Sequence, residues 1–319
     1  MASRDEHPGW RRLFVPGRLT LGLFFPIEAY LGDTPTMRDQ ERLARRAEEL
    51  GFAALWVRDV PLRDPSFGDV GQIYDPWVWL GHIAGLTREV ALVTGAIVLP
   101  LRHPLHVAKA AASVDRLSDG RFILGVATGD RPSELGAFGV DVADRGAAFR
   151  RHLEAVRGAW GDPPAPPDHL ELVPRPPYGD TPILVTGRSQ QTLGWIAANA
   201  DGWVTYPRPP AQQAAVLAEW RAATRAVGAG DKPFAQSLYI DLASDPQASP
   251  RRIHLGWELG REPLVQLLET YARLGIGHVV LNLKYGHRSA HDVVEELGDH
   301  VLPRLGPVAE HRDDEPAPR

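Results

Sequence analysis

Two stretches of the chain bring together the groups that hold a phosphate. In Ala127-Thr128-Gly129-Asp130 a hydroxyl and a glycine follow an apolar run, and small residues let backbone N–H groups approach an anion. In Pro182–Thr192 the triplet Gly187-Arg188-Ser189 follows an apolar run and opens a helical pattern. N–H groups, a hydroxyl and a guanidinium at the positive end of a helix suit a dianion. Either pattern alone is also an ordinary strand end, with Ser189 serving as a helix cap. Two in successive units of the chain point to a phosphorylated cofactor or substrate. His103, preceded by Arg102 and followed by His106, is the candidate for proton transfer. The pairs His103/His106 and His287/His291 lack the glutamate of an HExxH site and any carboxylate cluster, so no metal is expected. Glu28, Arg131, Lys284 and Tyr285 offer charge or hydrogen bonds to a polar substrate. Phe24, Trp56, Tyr74, Trp203 and Tyr206 offer surfaces for a flat ring and an apolar substrate.

The elements that position these residues follow from hydrophobic periodicity. Apolar runs of strand length recur at 19–24, 53–58, 90–99, 121–126, 182–186, 202–206, 235–242 and 278–283. Helical patterns lie between them, at 36–50 with Gly51 ending it, from Asp75-Pro76 with Asp as cap, at 103–116, 143–160 and 292–305. Strands alternating with helices predict parallel pairing. Eight of them predict an α/β fold, a (β/α)8 TIM barrel, rather than an open sheet of five or six strands. Active sites of such barrels lie at the C-terminal ends of the strands, where the residues named above fall. Two insertions are expected, after strands four and seven. In residues 161–180, seven of twenty residues are proline, which predicts a stiff loop, and 244–262 reads as a loop over the barrel mouth. Both are expected to shape the substrate pocket. Residues 1–18 read as an extension rather than a core element, 19–305 as the barrel domain, and 306–319, charged and proline-rich, as a disordered tail.

Composition narrows the function. The chain has 319 residues, 35 basic against 40 acidic, a net charge of −5 and no cysteine. Thiol nucleophiles, iron–sulfur clusters and thiolate metal sites are excluded. The acidic balance, without a basic block, argues against nucleic acid as partner. No apolar run reaches the roughly 18 residues of a membrane span, and the first residues lack a secretory signal, so a soluble cytoplasmic protein is expected. No GxGxxG fingerprint opens the chain, so any nicotinamide would bind transiently.

The chain resembles the bacterial luciferase-like monooxygenase superfamily of flavin- or deazaflavin-dependent (β/α)8 barrels. The resemblance rests on GFAALWVRD (51–59), GAIVLPLRHP (95–104), LSDGRFILGVATGD (117–130), ELGAFGV (134–140), PILVTGRSQQT (182–192) and NADGWVT (199–205), in family order. It implies that Thr94, Gly95 and Ala96 form a bulged strand with a non-proline cis peptide under the flavin ring. It further implies that Thr128, Gly129 and Asp130 form one phosphate loop and Gly187, Arg188 and Ser189 the other. The resemblance implies a monooxygenase using reduced FMN and oxygen on a small organic substrate. NAD(P)H would serve as transient reductant or a separate flavin reductase as partner, in a homodimer. A dehydrogenase or reductase using F420 is the alternative within the family, and a non-catalytic flavin-binding barrel or accessory subunit lies outside enzyme function. One departure stands out. Luciferases proper carry a catalytic histidine just past strand two, where this chain has Val60 after WVRD. Valine moves no proton, which leaves Asp59, equally readable as a helix cap or salt-bridge partner, and His103 as candidate catalytic groups, with Phe24, Glu28, Trp56, Trp203 and Tyr206 as candidate substrate contacts.

Overall fold

Parallel pairing closes on itself. In the computed structural model, which describes residues 4–67, 71–161 and 170–306, eight strands form a ring. They are β1 (Thr20–Phe24), β2 (Ala54–Val57), β3 (Ala91–Thr94), β5 (Phe122–Ala127), β6 (Ile183–Thr186), β7 (Gly202–Thr205), β8 (Phe234–Leu242) and β11 (His278–Asn282). Each pairs in parallel with the next, and β11 pairs with both β8 and β1, so the sheet is a barrel. β4 (Ile97–Val98) continues the line of β3 beyond a break at Gly95–Ala96 and pairs with the end of β5. The single strand expected over 90–99 is thus two, and the peptide bond between Gly95 and Ala96 is cis.

Helices α2 (Gln40–Leu50), α3 (Pro76–Leu86), α4 (Pro104–Leu117), α6 (Arg145–Trp160), α7 (Leu193–Asn199), α8 (Pro210–Ala226) and α9 (Arg261–Leu274) connect successive barrel strands, and α10 (Ala290–Glu296) follows the last of them. A further short helix, α5 (Pro132–Ala137), follows β5. Local chemistry sets their ends. Asp75 caps α3 by accepting from the N–H groups of Trp77 and Val78 at 2.9 and 3.2 Å, with Pro76 in the first turn. Gly51 ends α2 in the left-handed region at φ 93°. Among the described residues no helix is long and apolar enough to cross a membrane.

Strand alternation divides the apolar residues into two cores. Outward residues such as Leu21, Leu23, Leu55 and Val185 pack under the helices. Inward residues, Phe24, Ala54, Trp56, Ala91, Val93, Ile123, Leu184, Val204, Ala235 and Val280, fill the barrel. Trp10 and Leu13 belong to this inner core, which corrects the expectation for residues 1–18. They carry a helix, α1 (Pro8–Leu13), that plugs the N-terminal end of the barrel. The plug is anchored by a buried hydrogen-bond chain. Trp56 Nε1 donates to His278 Nε2 at 3.1 Å, His278 Nδ1 meets Thr20 Oγ1 at 2.7 Å, and Thr20 Oγ1 donates to the Leu13 carbonyl at 2.6 Å.

The two insertions differ from expectation. Residues 162–169 of the proline-rich segment, and the tail from 307 onward, lie outside the described residues. The described remainder of the first insertion joins α6 to β6 and returns at the N-terminal end of the barrel. There Tyr178 packs on His7 with ring centroids 5.5 Å apart, at the end opposite the expected pocket. The second insertion is no irregular loop: it forms a hairpin, β9 (Arg251–Ile253) with β10 (Gly256–Leu259). β10 adds in parallel to the last four residues of β8 and raises one side of the mouth. Gly256 permits this approach, because a Cβ there would lie 1.8 Å from the Tyr239 carbonyl oxygen.

Candidate active site

The C-terminal ends of the barrel strands surround a floor built from Gly95, Phe24 and Trp56. A Cβ on Gly95 would come within 2.7 Å of the Trp56 ring and 3.1 Å of the Phe24 ring, so only glycine lets the backbone rest on these aromatics. Thr94 fixes the preceding residue. Its hydroxyl donates to the Gly125 carbonyl and accepts from the Gly125 N–H, both at 2.8 Å. Gly125 has no room for a side chain, since a Cβ would sit 1.8 Å from the Thr94 carbonyl oxygen. The Arg58 guanidinium, just past the end of β2, lies 5.9 Å from the centre of the Phe24 ring.

On the opposite wall, alternation turns Thr186 inward after Leu184 on β6, and Ser237 inward between Ala235 and Tyr239 on β8. Both hydroxyls are buried at the atom level and neither has a hydrogen-bond partner in the protein. A buried hydroxyl without a partner costs about 1–3 kcal/mol, so the pair marks a place where a polar ligand edge fits. Thr186 ends a strand that the sequence already places at the mouth, whereas Ser237 is not among its candidates, although the alternation of β8, with alanine, serine, tyrosine and aspartate on one face, carries the signal. Higher on the same face, Tyr239, His254 and Tyr285 form an aromatic cluster with centroids 5.2–6.1 Å apart. The Lys284 ammonium lies 5.4 Å from the Tyr285 ring.

The two glycine loops lie beside this floor. Thr128 is buried, and Gly129 adopts φ 79° with Val98 so close that a Cβ would lie 2.8 Å from its Cγ1. Asp130 is exposed. The second loop curls through Gly187, Ser189 and Gln190, all at positive φ, with the Ser189 hydroxyl donating to the Thr186 carbonyl at 2.9 Å. Ser189 is not the helix cap that the sequence suggests. α7 starts later, capped by Thr192, whose hydroxyl accepts from the Trp195 N–H. Arg188 is more than half exposed and pairs with Glu219 at 3.3 Å.

Several candidate residues have other work. Trp56 is fully buried and forms the underside of the floor, so it supports Gly95 without reaching a substrate. Trp203 points outward onto Trp220 and Phe234, and its Nε1 donates to the Gly187 carbonyl at 2.7 Å. It props the second glycine loop and does not line the mouth. Glu28 accepts from the N–H and hydroxyl of Thr36, closing the loop after β1. His103 is exposed and caps α4, its Nδ1 accepting from the Leu105 N–H at 3.3 Å. Asp59 is buried, with both carboxylate oxygens on Arg102 at 2.7 and 2.8 Å. These contacts show His103 capping α4 and Asp59 pairing with Arg102. Phe24 remains on the floor, and Tyr206, half exposed at the end of β7, remains on the rim. Nearby, burial raises the carboxyl of Glu134 above its ordinary range against the N–H of Leu62 that it accepts.

Comparison with known proteins agrees with this geometry. The family description "Luciferase-like monooxygenase" matches residues 19–292. An uncharacterised protein of Mycobacterium tuberculosis is 35% identical over 189 residues, 52% of this chain and 66% of that one. The 4-hydroxyprotoasukamycin monooxygenase of Streptomyces nodosus subsp. asukaensis is 30% identical over 221 residues, 64% of this chain and 58% of that one. The chain thus spans between half and two thirds of the length of these curated relatives. An F420-dependent secondary alcohol dehydrogenase, solved with an F420–acetone adduct, superposes with a TM-score of 0.72 at 18% identity, covering 91% of this chain and 99% of its own. With a closed eight-stranded barrel, the glycine floor and a family match over most of its length, the chain belongs to the luciferase-like monooxygenase family.

Proposed function

We propose that this chain is a flavin-dependent oxidoreductase, a monooxygenase that uses reduced FMN and O2 on a small organic substrate. The observation that carries the reading is the pair of partnerless buried hydroxyls, Thr186 and Ser237, facing a floor of Gly95, Phe24 and Trp56. A flat ring with a polar edge fits this arrangement: the floor takes the face and the hydroxyls take the edge. The loops Thr128–Asp130 and Gly187–Ser189 would hold the phosphate, with Arg188 exchanging its exposed pair with Glu219 for the anion. Bound reduced FMN supplies the electrons for oxygen activation, with NAD(P)H or a separate flavin reductase as their source. The chain's own contribution is to grip the ring, exclude water with the aromatic wall of Tyr239 and Tyr285, and admit substrate past Tyr206. The named activity of the Streptomyces relative supports oxygen chemistry.

Absorbance titration of the purified protein with FMN and with F420 tests the reading. Saturable micromolar FMN binding, with oxygen uptake coupled to NADH oxidation, is the expected result. Binding of F420 with none of FMN moves the protein to hydride-transfer chemistry, and binding of FMN without oxygen uptake makes it a flavin carrier.

A further inference from the structure

The Asp59 carboxylate touches three parts of the site's scaffold. It follows β2, yet one of its oxygens accepts from the backbone N–H of Val98 on β4, at 3.1 Å. Both oxygens accept from Arg102, whose guanidinium continues to Asp75, the cap of α3, at 3.1 Å. The Asp59 side chain is fully buried and that of Arg102 largely so, which leaves little water to weaken the pair. Burial works against the charge on Arg102, but the hydrogen bonds and attraction of Asp59 and then of Asp75 more than offset it, so the guanidinium is held charged. Val98, fixed by Asp59 through its N–H, presses its side chain on Gly129, where no Cβ could fit. One carboxylate therefore ties together the strand after the floor, the start of α4 and, through Val98, the first glycine loop.

We propose that Asp59 is a positioning residue that holds the ring floor at Gly95–Ala96 and the phosphate loop at Thr128–Gly129 in one fixed relation. The proposal rests on the cofactor reading above, and it replaces the proton-transfer role suggested by the sequence. It makes Asp59 essential for ligand grip while touching no ligand. Two segments from different barrel units move together when it is lost, whereas the Arg102–Asp75 arm anchors only the outer helix.

The test compares D59N, R102K and D75N with the wild type in two measurements. The first is binding of FMN and riboflavin. Both D59N and R102K are expected to weaken both ligands by about tenfold or more, because loose support of a site costs affinity for every part of the ligand. D75N is expected to leave both constants within about twofold, the effect of an exposed charge contact. The second is amide hydrogen exchange of the ligand-free proteins. D59N and R102K are expected to speed exchange at 95–98 and at 128–129 together, with the N-terminal end of the barrel unchanged. Wild-type affinities in a folded D59N or R102K overturn the proposal, as does unchanged exchange in both segments. If the wild type binds neither FMN nor F420, the cofactor reading fails while the exchange measurement still decides the clamp. If D59N does not fold, R102K, which keeps the charge and loses only the two-point grip, decides it alone.

Discussion

At the scale of single residues, the site is defined less by charges than by two hydroxyls without partners. Ser237 and Thr186 lose nothing in the free protein when their oxygens are removed, because no protein group bonds to them. S237A and T186V are therefore expected to leave thermal stability unchanged or slightly raised, and to weaken FMN and riboflavin alike by roughly fivefold, about one hydrogen bond each. Calorimetric titration and melting curves check both halves. His278 shows the opposite situation, a buried group with every atom used. Burial pushes its imidazole down to about 3, and its Nε2 must stay unprotonated to accept from Trp56. The unfolded chain takes up that proton near pH 6.5, well before the folded one does. Stability is thus full above about pH 6.5 and declines as pH falls toward 3, by roughly 2 kcal/mol at pH 5. H278Q is expected to flatten this decline, read from urea unfolding at pH 7 and pH 5; an unchanged slope would show that other groups set it.

Elements matter because the glycine loops have no rigidity of their own. The second loop is held from outside the barrel by Trp203, which projects from β7 onto Trp220 of α8 and donates to the Gly187 carbonyl. W203F keeps the packing and removes the hydrogen bond. It is expected to cost about 1 kcal/mol of stability and to weaken FMN more than riboflavin, since the loop it props serves the phosphate. Equal weakening of the two ligands would place the loop's role elsewhere. The Asp59–Arg102 pair does the same for the first loop from within. Removing one member of such a buried pair typically costs about 3–5 kcal/mol, which makes a milder variant such as R102K informative.

For the whole molecule, α3 is the element that does not fit a lone barrel. Its sequence is apolar but for His82, PWVWLGHIAGL, yet it lies on the outside with Val78 72% exposed. Leu105 at the start of the neighbouring α4 is also exposed. An apolar helix of this kind is ordinarily covered, and the homodimer that the family resemblance implies would cover it if two copies met through α3. Sedimentation velocity at micromolar concentration is expected to show a dimer for the wild type and a monomer for V78E. A monomeric wild type, or a V78E dimer, would remove α3 from the interface.

How much the sequence showed depends on the range of the interactions. Strand runs and Gly/Pro punctuation are local, so the eight barrel strands and most helices were legible. The helix in residues 8–13 was missed because its burial depends on a barrel end assembled from distant strands. The hairpin at 251–259 was missed because its strands are only three and four residues long and β10 depends on added pairing to the far end of β8. The same division runs through the site. Glycine at 95, 129 and 187 and the order of the motifs were readable, since backbone approach restricts residue type at each position. Whether a polar side chain is spent or spare was not. Asp59 and His103 looked available and are engaged, by Arg102 43 positions away and by the turn that starts α4. Ser237 and Thr186 look ordinary and, among the described residues, are buried hydroxyls left without a protein partner. The linear order of residues determined a (β/α)8 barrel and where its mouth must be, because alternation and helical period are properties of neighbours. Only the tertiary structure decided which groups face the mouth with hydrogen bonds to spare, because that depends on which distant partners have already taken them.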